Sequence, residues 1–206
     1  MKAAEARVRS ASIVVLAQSF NPSIASKEWL LSKQIIQEEP INFTHAPVFS
    51  LFESANFRLA VDESRLSIFS KSGEPNRLQE LGEIARRYVA MLPETPFKAV
   101  GFNYDWGVSS PDEPLNIGKL LAVELEVLKE VFSEKLRIGS IVVFPHGEFR
   151  VTLRIDPSEP TASEVNARFN YHKDVAGSIA ALEGISKFSA CYDHSRFMLE
   201  QIIGRS

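Results

Sequence analysis

Cysteine is almost absent from the 206-residue sequence, which contains only Cys191. A single thiol can form neither an intrachain disulfide nor a metal cage made of cysteines alone. A reducing compartment is the simpler assumption, so we expect a cytoplasmic protein. Cys191 has no neighbouring base in the sequence and falls on the apolar side of a predicted helix, which favours a buried structural thiol over a nucleophile.

Long apolar stretches are missing as well. The run at residues 13–17 is too short for the core of a signal peptide. No stretch approaches the roughly 18 apolar residues that a membrane-spanning helix needs. We therefore expect a soluble protein that is neither secreted nor bound to a membrane.

An excess of positive charge is also lacking in both halves of the sequence. Residues 1–97 carry 11 basic and 11 acidic side chains, and the remainder carries 12 basic and 15 acidic ones, which gives the net charge of −3. Such a balance provides no general attraction to nucleic acid. Phenylalanine supplies 14 of the aromatic residues, against 4 tyrosines and 2 tryptophans, which favours core filling over a base-stacking platform. We expect no nucleic-acid partner.

Motifs for cofactors and metals are missing too. The ten glycines are scattered, and neither GxGxxG nor GxxxxGK[ST] occurs, so we expect no cofactor. No two histidines have the i, i+2 spacing of a strand or the i, i+4 spacing of a helix that would suit local metal ligation, so we expect no metal. His146 lies in a predicted turn, where solvent exposure is the simplest interpretation. His194 lies between Asp193 and Ser195, but adjacent helical side chains cannot form a catalytic triad.

What the sequence does contain is an alternation of strand and helix patterns. A helix is predicted over residues 27–37, capped by Ser26 and ended by Pro40, and Pro47 should mark an edge or a bend. No element is assigned to residues 174–184. The remaining helices are predicted at residues 78–92, 117–132 (after a capping box at 110–113) and 188–204, and the strands at 13–17, 41–52, 57–61, 65–69, 99–106, 138–144, 149–155 and 165–172.

These elements occur in the order β-α-β-β-β-α, stated twice, which predicts an internally duplicated α+β fold with pseudo-twofold symmetry. Five positions of the first half match the second half at one constant offset: Phe52, Phe57, Arg58, Leu59 and Val61 match Phe144, Phe149, Arg150, Val151 and Leu153. We therefore expect repeats at residues 1–97 and 98–206 that together form one compact domain.

This element order resembles that of the TATA-binding-protein-like, tandem ferredoxin-like and double hot-dog folds. The resemblance implies a curved antiparallel sheet with helices on one face. It concerns element order only, and no functional residue of those families is carried over to this sequence.

The strand at the midpoint of the chain suggests where a site would lie. Asn103 and Asp105 alternate with aromatic residues, and a later strand places Arg168, Asn170 and His172 on one face. If the two strands are neighbours, these five side chains form a polar patch, either a solvated sheet face or a binding surface. The solvated face is the simpler interpretation.

Arg58 and Arg150, equivalent under the duplication, are a second pair of candidates. The planar guanidinium suits recognition of carboxylate or phosphate groups. The simpler interpretation is pairing with an acidic side chain on the neighbouring strand.

No motif requires an enzyme. We therefore expect a binding or assembly protein, which uses a sheet face or an exposed edge strand for a protein or small-ligand partner and forms a homo-oligomer. The alternative is a small-molecule hydrolase or isomerase in which Asp105 or His172 is the general base and Arg58, Arg150 or Arg168 anchors an anion.

Overall fold

The structure, a computed structural model, describes residues 5–110, 125–131, 137–158 and 163–203. Its strands are β1 (Glu5–Ala17), β2 (Asn42–Ala46), β3 (Phe49–Glu53), β4 (Phe57–Asp62), β5 (Arg65–Ser70), β6 (Phe97–Ser109), β7 (Ile138–His146), β8 (Phe149–Ser158) and β9 (Glu164–Asp174). Its helices are α1 (Lys27–Ser32), α2 (Pro75–Ala90), α3 (Leu125–Val131), α4 (Gly177–Ile185) and α5 (Phe188–Ile203), with a short 3-10 helix at Pro22–Ile24. Among the described residues, no helix combines the length and apolarity needed to cross a membrane.

The strands form one antiparallel sheet in the order β2-β3-β4-β5-β1-β6-β9-β8-β7. Three hairpins, β2-β3, β3-β4 and β4-β5, build one side of the sheet, and the β7-β8 hairpin lies at the opposite end. This arrangement confirms the predicted α+β class with an antiparallel sheet.

The predicted strand at residues 41–52 is in fact two strands, because the chain turns at Pro47 and Val48 between β2 and β3. The described first half therefore has four strands after α1, one more than predicted. Proline has no backbone N–H to donate to a strand ladder, which explains why the strand is interrupted at this position. β2 is the outermost strand on its side of the sheet.

The helix boundaries agree only in part with the sequence patterns. The Ser26 hydroxyl caps α1 as predicted, by accepting a hydrogen bond from the Trp29 amide at 3.1 Å. The helix ends at Ser32 rather than near residue 37, because Gln34 adopts a left-handed conformation with φ of 54°. Of the helix predicted over 117–132, the structure describes α3, and residues 111–124 lie outside the described residues.

The chain divides into two compact units. The first, here called unit A, comprises Ser10–Asn103 and Tyr171–Cys191. Its core takes alternate residues of the strands, including Ile13, Val15, Leu59, Val61, Leu66 and Ile68, and the apolar stripe of α2, namely Leu78, Leu81, Ile84, Ala85, Tyr88 and Val89. Burial of such stripes is the main source of folding free energy.

The second unit, here called unit B, comprises the described residues of Met1–Arg9, Tyr104–Asn170 and Tyr192–Ser206. Its core is aromatic: Tyr192 of α5 contacts Tyr104 with ring centroids 5.9 Å apart and stacks on Trp106 at 5.4 Å. β8 alternates strictly, because Phe149, Val151, Leu153 and Ile155 are buried while the residues between them are not.

Two helical glycines in unit A provide a test of this packing. At Gly184 of α4, an added Cβ would lie 2.6 Å from Cγ2 of Val100, whose stiff side chain cannot rotate away. At Gly82 of α2, an added Cβ would lie 3.6 Å from Phe188, an ordinary contact. We expect Gly184→Ala to lower the free energy of unfolding by about 1 to 3 kcal/mol.

The matched variant Gly82→Ala should leave stability unchanged or raise it by up to about 1 kcal/mol, because alanine favours a helix. Urea denaturation of both variants measures the difference. Equal effects of the two substitutions would contradict the close approach of α4 to β6.

Candidate functional site

β6 and β9, which carry the predicted polar patch, are neighbours in the sheet. Along β6, the aromatic residues Phe102, Tyr104 and Trp106 are buried, whereas Asn103 and Asp105 are partly exposed. On β9, Arg168 and Asn170 are exposed and His172 is partly exposed. The aromatic residues of β6 therefore fill the core and the polar ones line the other side of the strand.

In unit B, the polar residues of this face are tied together by ion pairs. Arg168 hydrogen-bonds to Asp156, and its Nε lies 3.9 Å from Oδ1 of Asp105. Asp156 also accepts a hydrogen bond from Nε of Arg154 at 3.1 Å. The guanidinium of Arg168 is thus engaged by two carboxylates, which agrees with a solvated, self-paired sheet face more than with an anion site.

Arg9 of β1 lies on the same side of unit B. It forms an ion pair with Glu164 and donates a hydrogen bond from Nη1 to Oδ1 of Asn166 at 2.7 Å. Its guanidinium also occupies the space above Gly107, where an added Cβ would lie 2.6 Å from Arg9 Nε. Glycine at position 107 therefore leaves room for this arginine to cross β6.

In unit A, two other predicted site residues have local partners. The side-chain amide of Asn103 donates to the Ser12 hydroxyl at 3.0 Å, which joins β6 to β1. Nε2 of His172 lies 3.2 Å from Oδ1 of Asp174. A carboxylate at this distance orients an imidazole ring, but Asp174 is itself well exposed to solvent.

Arg58 and Arg150 differ in their surroundings. Arg58 lies directly opposite Glu53 on β3 and forms an ion pair with it at 3.2 Å. Hydrogen bonds from Lys71 and Arg58 hold the pKa of Glu53 below its usual value. Arg150 lies opposite Pro145, which carries no charge, and no ion pair of Arg150 is found among the described residues. Arg58 thus has an acidic partner on the neighbouring strand, whereas no acidic residue of β7 lies opposite Arg150.

His146 and His194, distant in the sequence, are stacked in unit B. Their ring centroids are 3.6 Å apart with an interplanar angle of 21°, and Phe144 packs beside His194. His146 is the last residue of β7 rather than part of the turn, and it is partly buried, so the expectation of a solvated side chain is wrong. Because β7 alternates, His146 points to the same side as Phe144, toward α5.

The structure also bears on nucleophiles and metals. Cys191 is buried, and this burial raises the pKa of its thiol to about 12. Such a thiol is protonated at neutral pH and is a poor nucleophile. Among the described residues, no group of three or more His, Cys, Asp and Glu side chains is placed to hold a metal ion.

The most unusual surface feature is one that the sequence patterns did not single out. β7 is the last strand of the sheet, and three successive apolar residues on it are exposed: Ile141 by 66%, Val142 by 47% and Val143 by 60%. Residues 138–144 were predicted as a strand, but its position at the edge depends on tertiary strand order. One feature of the sequence could have drawn attention to this strand: no Lys, Arg, Asp or Glu occurs between residues 138 and 146.

Comparison with known proteins gives no further assignment: no protein-family model matches the chain, and no curated protein matches it in sequence.

The stacked histidines should make stability depend on pH. Burial and the neighbouring His146 lower the pKa of His194 from its ordinary value of 6.5. The unfolded chain therefore binds a proton more readily than the folded one, so stability is complete above the ordinary pKa and falls as the pH drops below it. We expect the urea midpoint to decrease between about pH 7.5 and 5.5, and His194→Phe to reduce that decrease.

His45→Phe is the matched control, since His45 lies on β2 and stacks on Phe43 instead. This variant should retain the pH dependence of the wild type. If both variants give the same slope of midpoint against pH, the stack does not disfavour protonation.

The reactivity of the Cys191 thiol tests whether this part of α5 is buried in the folded protein. Because its thiol is buried and protonated, we expect a disulfide reagent to label it in the native protein only at the rate at which the structure opens. In urea, the same thiol should react at once. Immediate stoichiometric labelling of the folded protein would show that the α5 region around Cys191 is accessible.

Proposed function

We propose that this chain is a binding or assembly protein that uses the edge strand β7, not an active site, to contact another protein. The observation that carries this proposal is the exposure of Ile141, Val142 and Val143 on the outermost strand of the sheet. Edge strands of proteins that remain alone are usually short, charged or covered. In the described part of the chain, the one sheet neighbour of β7 is β8.

The hairpin geometry shows which backbone groups β7 presents. His146 pairs with Phe149 across the two-residue turn Gly147-Glu148, in which Gly147 has φ of 56°. Residues that flank a two-residue turn exchange both hydrogen bonds, so the alternate residues of β7 direct their N–H and C=O groups away from β8. These outward residues are Pro145, Val143 and Ile141. Proline has no N–H to expose, which suits an outward position.

The opposite edge of the sheet is different. β2 has five residues, Asn42-Phe43-Thr44-His45-Ala46, three of which are polar. β7 has nine residues, and its centre is β-branched and apolar. Short edges discourage pairing with another strand, whereas the longer β7 has the composition of a strand that is paired. The contrast between the two edges supports a specific contact at β7.

We also propose that the chain arose by internal duplication into a pseudo-twofold sheet. The hairpins support this: Phe52 pairs with Leu59, and their counterparts Phe144 and Val151 also pair. The strand orders β3-β4-β5-β1 and β7-β8-β9-β6 are equivalent if β1 corresponds to β6.

An enzymatic alternative rests on a single observation, the contact between His172 and Asp174. A carboxylate beside the ring would orient the imidazole of a general base. Three other predicted members of this site have partners, since Asp105 and Arg168 are linked to each other and Arg58 to Glu53. Hydrolysis of ester substrates that is lost in His172→Gln would support this alternative over a binding protein.

Site-specific crosslinking tests the proposal. A photoactivatable residue placed at Val143, in cells that express the chain, should form adducts with a partner protein, because this side chain lies on the exposed edge. The same residue at Thr44, which is exposed on β2, is the matched control and should form few adducts. Mass spectrometry of the adducts measures both. Equal yields at the two edges, or none at Val143, would contradict a binding role for β7.

A further inference from the structure

We infer that the partner of β7 is a second copy of this chain, bound antiparallel about a twofold axis through Val142. This inference rests on the proposed function of the β7 edge and names its occupant. An interface on a twofold axis uses the same patch on both subunits, so the patch must be complementary to itself. Three properties of β7 meet this requirement: its backbone register, its side chains and its lack of charge.

The backbone requirement is met if Ile141 lies opposite Val143 of the partner subunit. Both residues direct their N–H and C=O groups away from β8, as the hairpin turn dictates. Each such pair exchanges two hydrogen bonds, and the twofold axis repeats the pair. Val142 then lies opposite its own counterpart in a position without hydrogen bonds between the two, where side chains approach most closely.

The side chains of β7 are complementary in the same register. Ile141 and Val143 lie on one face, since their cross-strand partners on β8 are Arg154 and Thr152. Two such pairs would form a four-residue apolar stripe across the junction, and Val142 would meet its copy on the opposite face. β-branched pairs of this kind stabilise antiparallel strands. All three of the exposed apolar residues would be covered together.

Charge favours a second copy over an acidic or basic strand. β7 carries no Lys, Arg, Asp or Glu between Ile138 and His146, so pairing with itself brings no like charges together along the strand. Of the two β8 arginines that lie opposite β7, Arg150 is opposite Pro145, and Arg154 is opposite Ile141, next to Val142. In the proposed register, the two β7 strands would lie between Arg154 and Arg154 of the partner subunit. The two arginines would then be at least three strand spacings apart, or about 14 Å. At that distance, salt screens most of the repulsion.

A charge exchange at the axis tests this pairing. Val142→Lys and Val142→Asp each place like charges opposite each other in a homodimer, and each should weaken the dimer by about tenfold or more. A mixture of the two variants should recover a heterodimer, because opposite charges then face each other. Sedimentation velocity gives the association and native mass spectrometry gives the composition. The partial exposure of Val142 in the single chain makes both substitutions compatible with folding.

A disulfide tests the register independently of charge. The Val142→Cys variant should form a disulfide-linked dimer under mild oxidation, because residues opposite each other without hydrogen bonds have Cα atoms about 4.5 Å apart, within reach of a disulfide. Val143→Cys is the matched control: it is similarly exposed, but in this register its own copy lies two positions away. The buried Cys191 should take no part. Crosslinking at 142 with little at 143 is the expected result.

Two outcomes would overturn the inference. A wild-type chain that is monomeric at every concentration, or a mixture of the Lys and Asp variants that does not associate, excludes the second copy. If crosslinks at Val143 then identify a different protein, the proposed function of the β7 edge stands, and only the inference that the partner is a second copy is wrong. If Val143 forms no crosslinks at all, the proposed function fails as well.

Discussion

The alternation of side chains along each strand is the constraint on which this structure depends. In β8, every second residue from Phe149 to Ile155 is buried. The side chains between them therefore lie on the other face of the strand, where they contact solvent or charged side chains. A shift of one residue in any hairpin would exchange the two sets. The core of aromatic and β-branched residues and the ion pairs of the opposite face follow from registers that keep this alternation intact, whereas the centre of β7 exposes three successive residues and departs from it.

Much of the fold could be predicted because alternation and capping are local. The strands around residues 57–61, 65–69 and 149–155, the α2 helix and the Ser26 cap all follow from nearby residues. The end of α1 could not be predicted, because it depends on the left-handed backbone at Gln34, which no local pattern requires. Pro47 was predicted to mark an edge or a bend, but not to separate two strands, because apolar residues continue on both sides of it.

The surface was harder to predict than the core, since it depends on which strands are neighbours. Asp105 and Arg168 could be assigned to exposed faces from the sequence, but their link through an ion pair requires β6 beside β9. The same strand order places β7 at the edge, and it brings His146 against His194 only through the packing of α5. Sequence patterns predict which residues share a face of a strand. The order of the strands in the sheet and the packing of the helices determine what each face contacts.

The difference between the two edges also determines where assembly would stop. A sheet with two adhesive edges can add subunits without limit, and the product is a filament. Here the described β2 edge is shorter than β7, so the proposed pairing through β7 would use the longer of the two edges. Growth would then end at two copies, a closed assembly that leaves the two short β2 edges toward solvent.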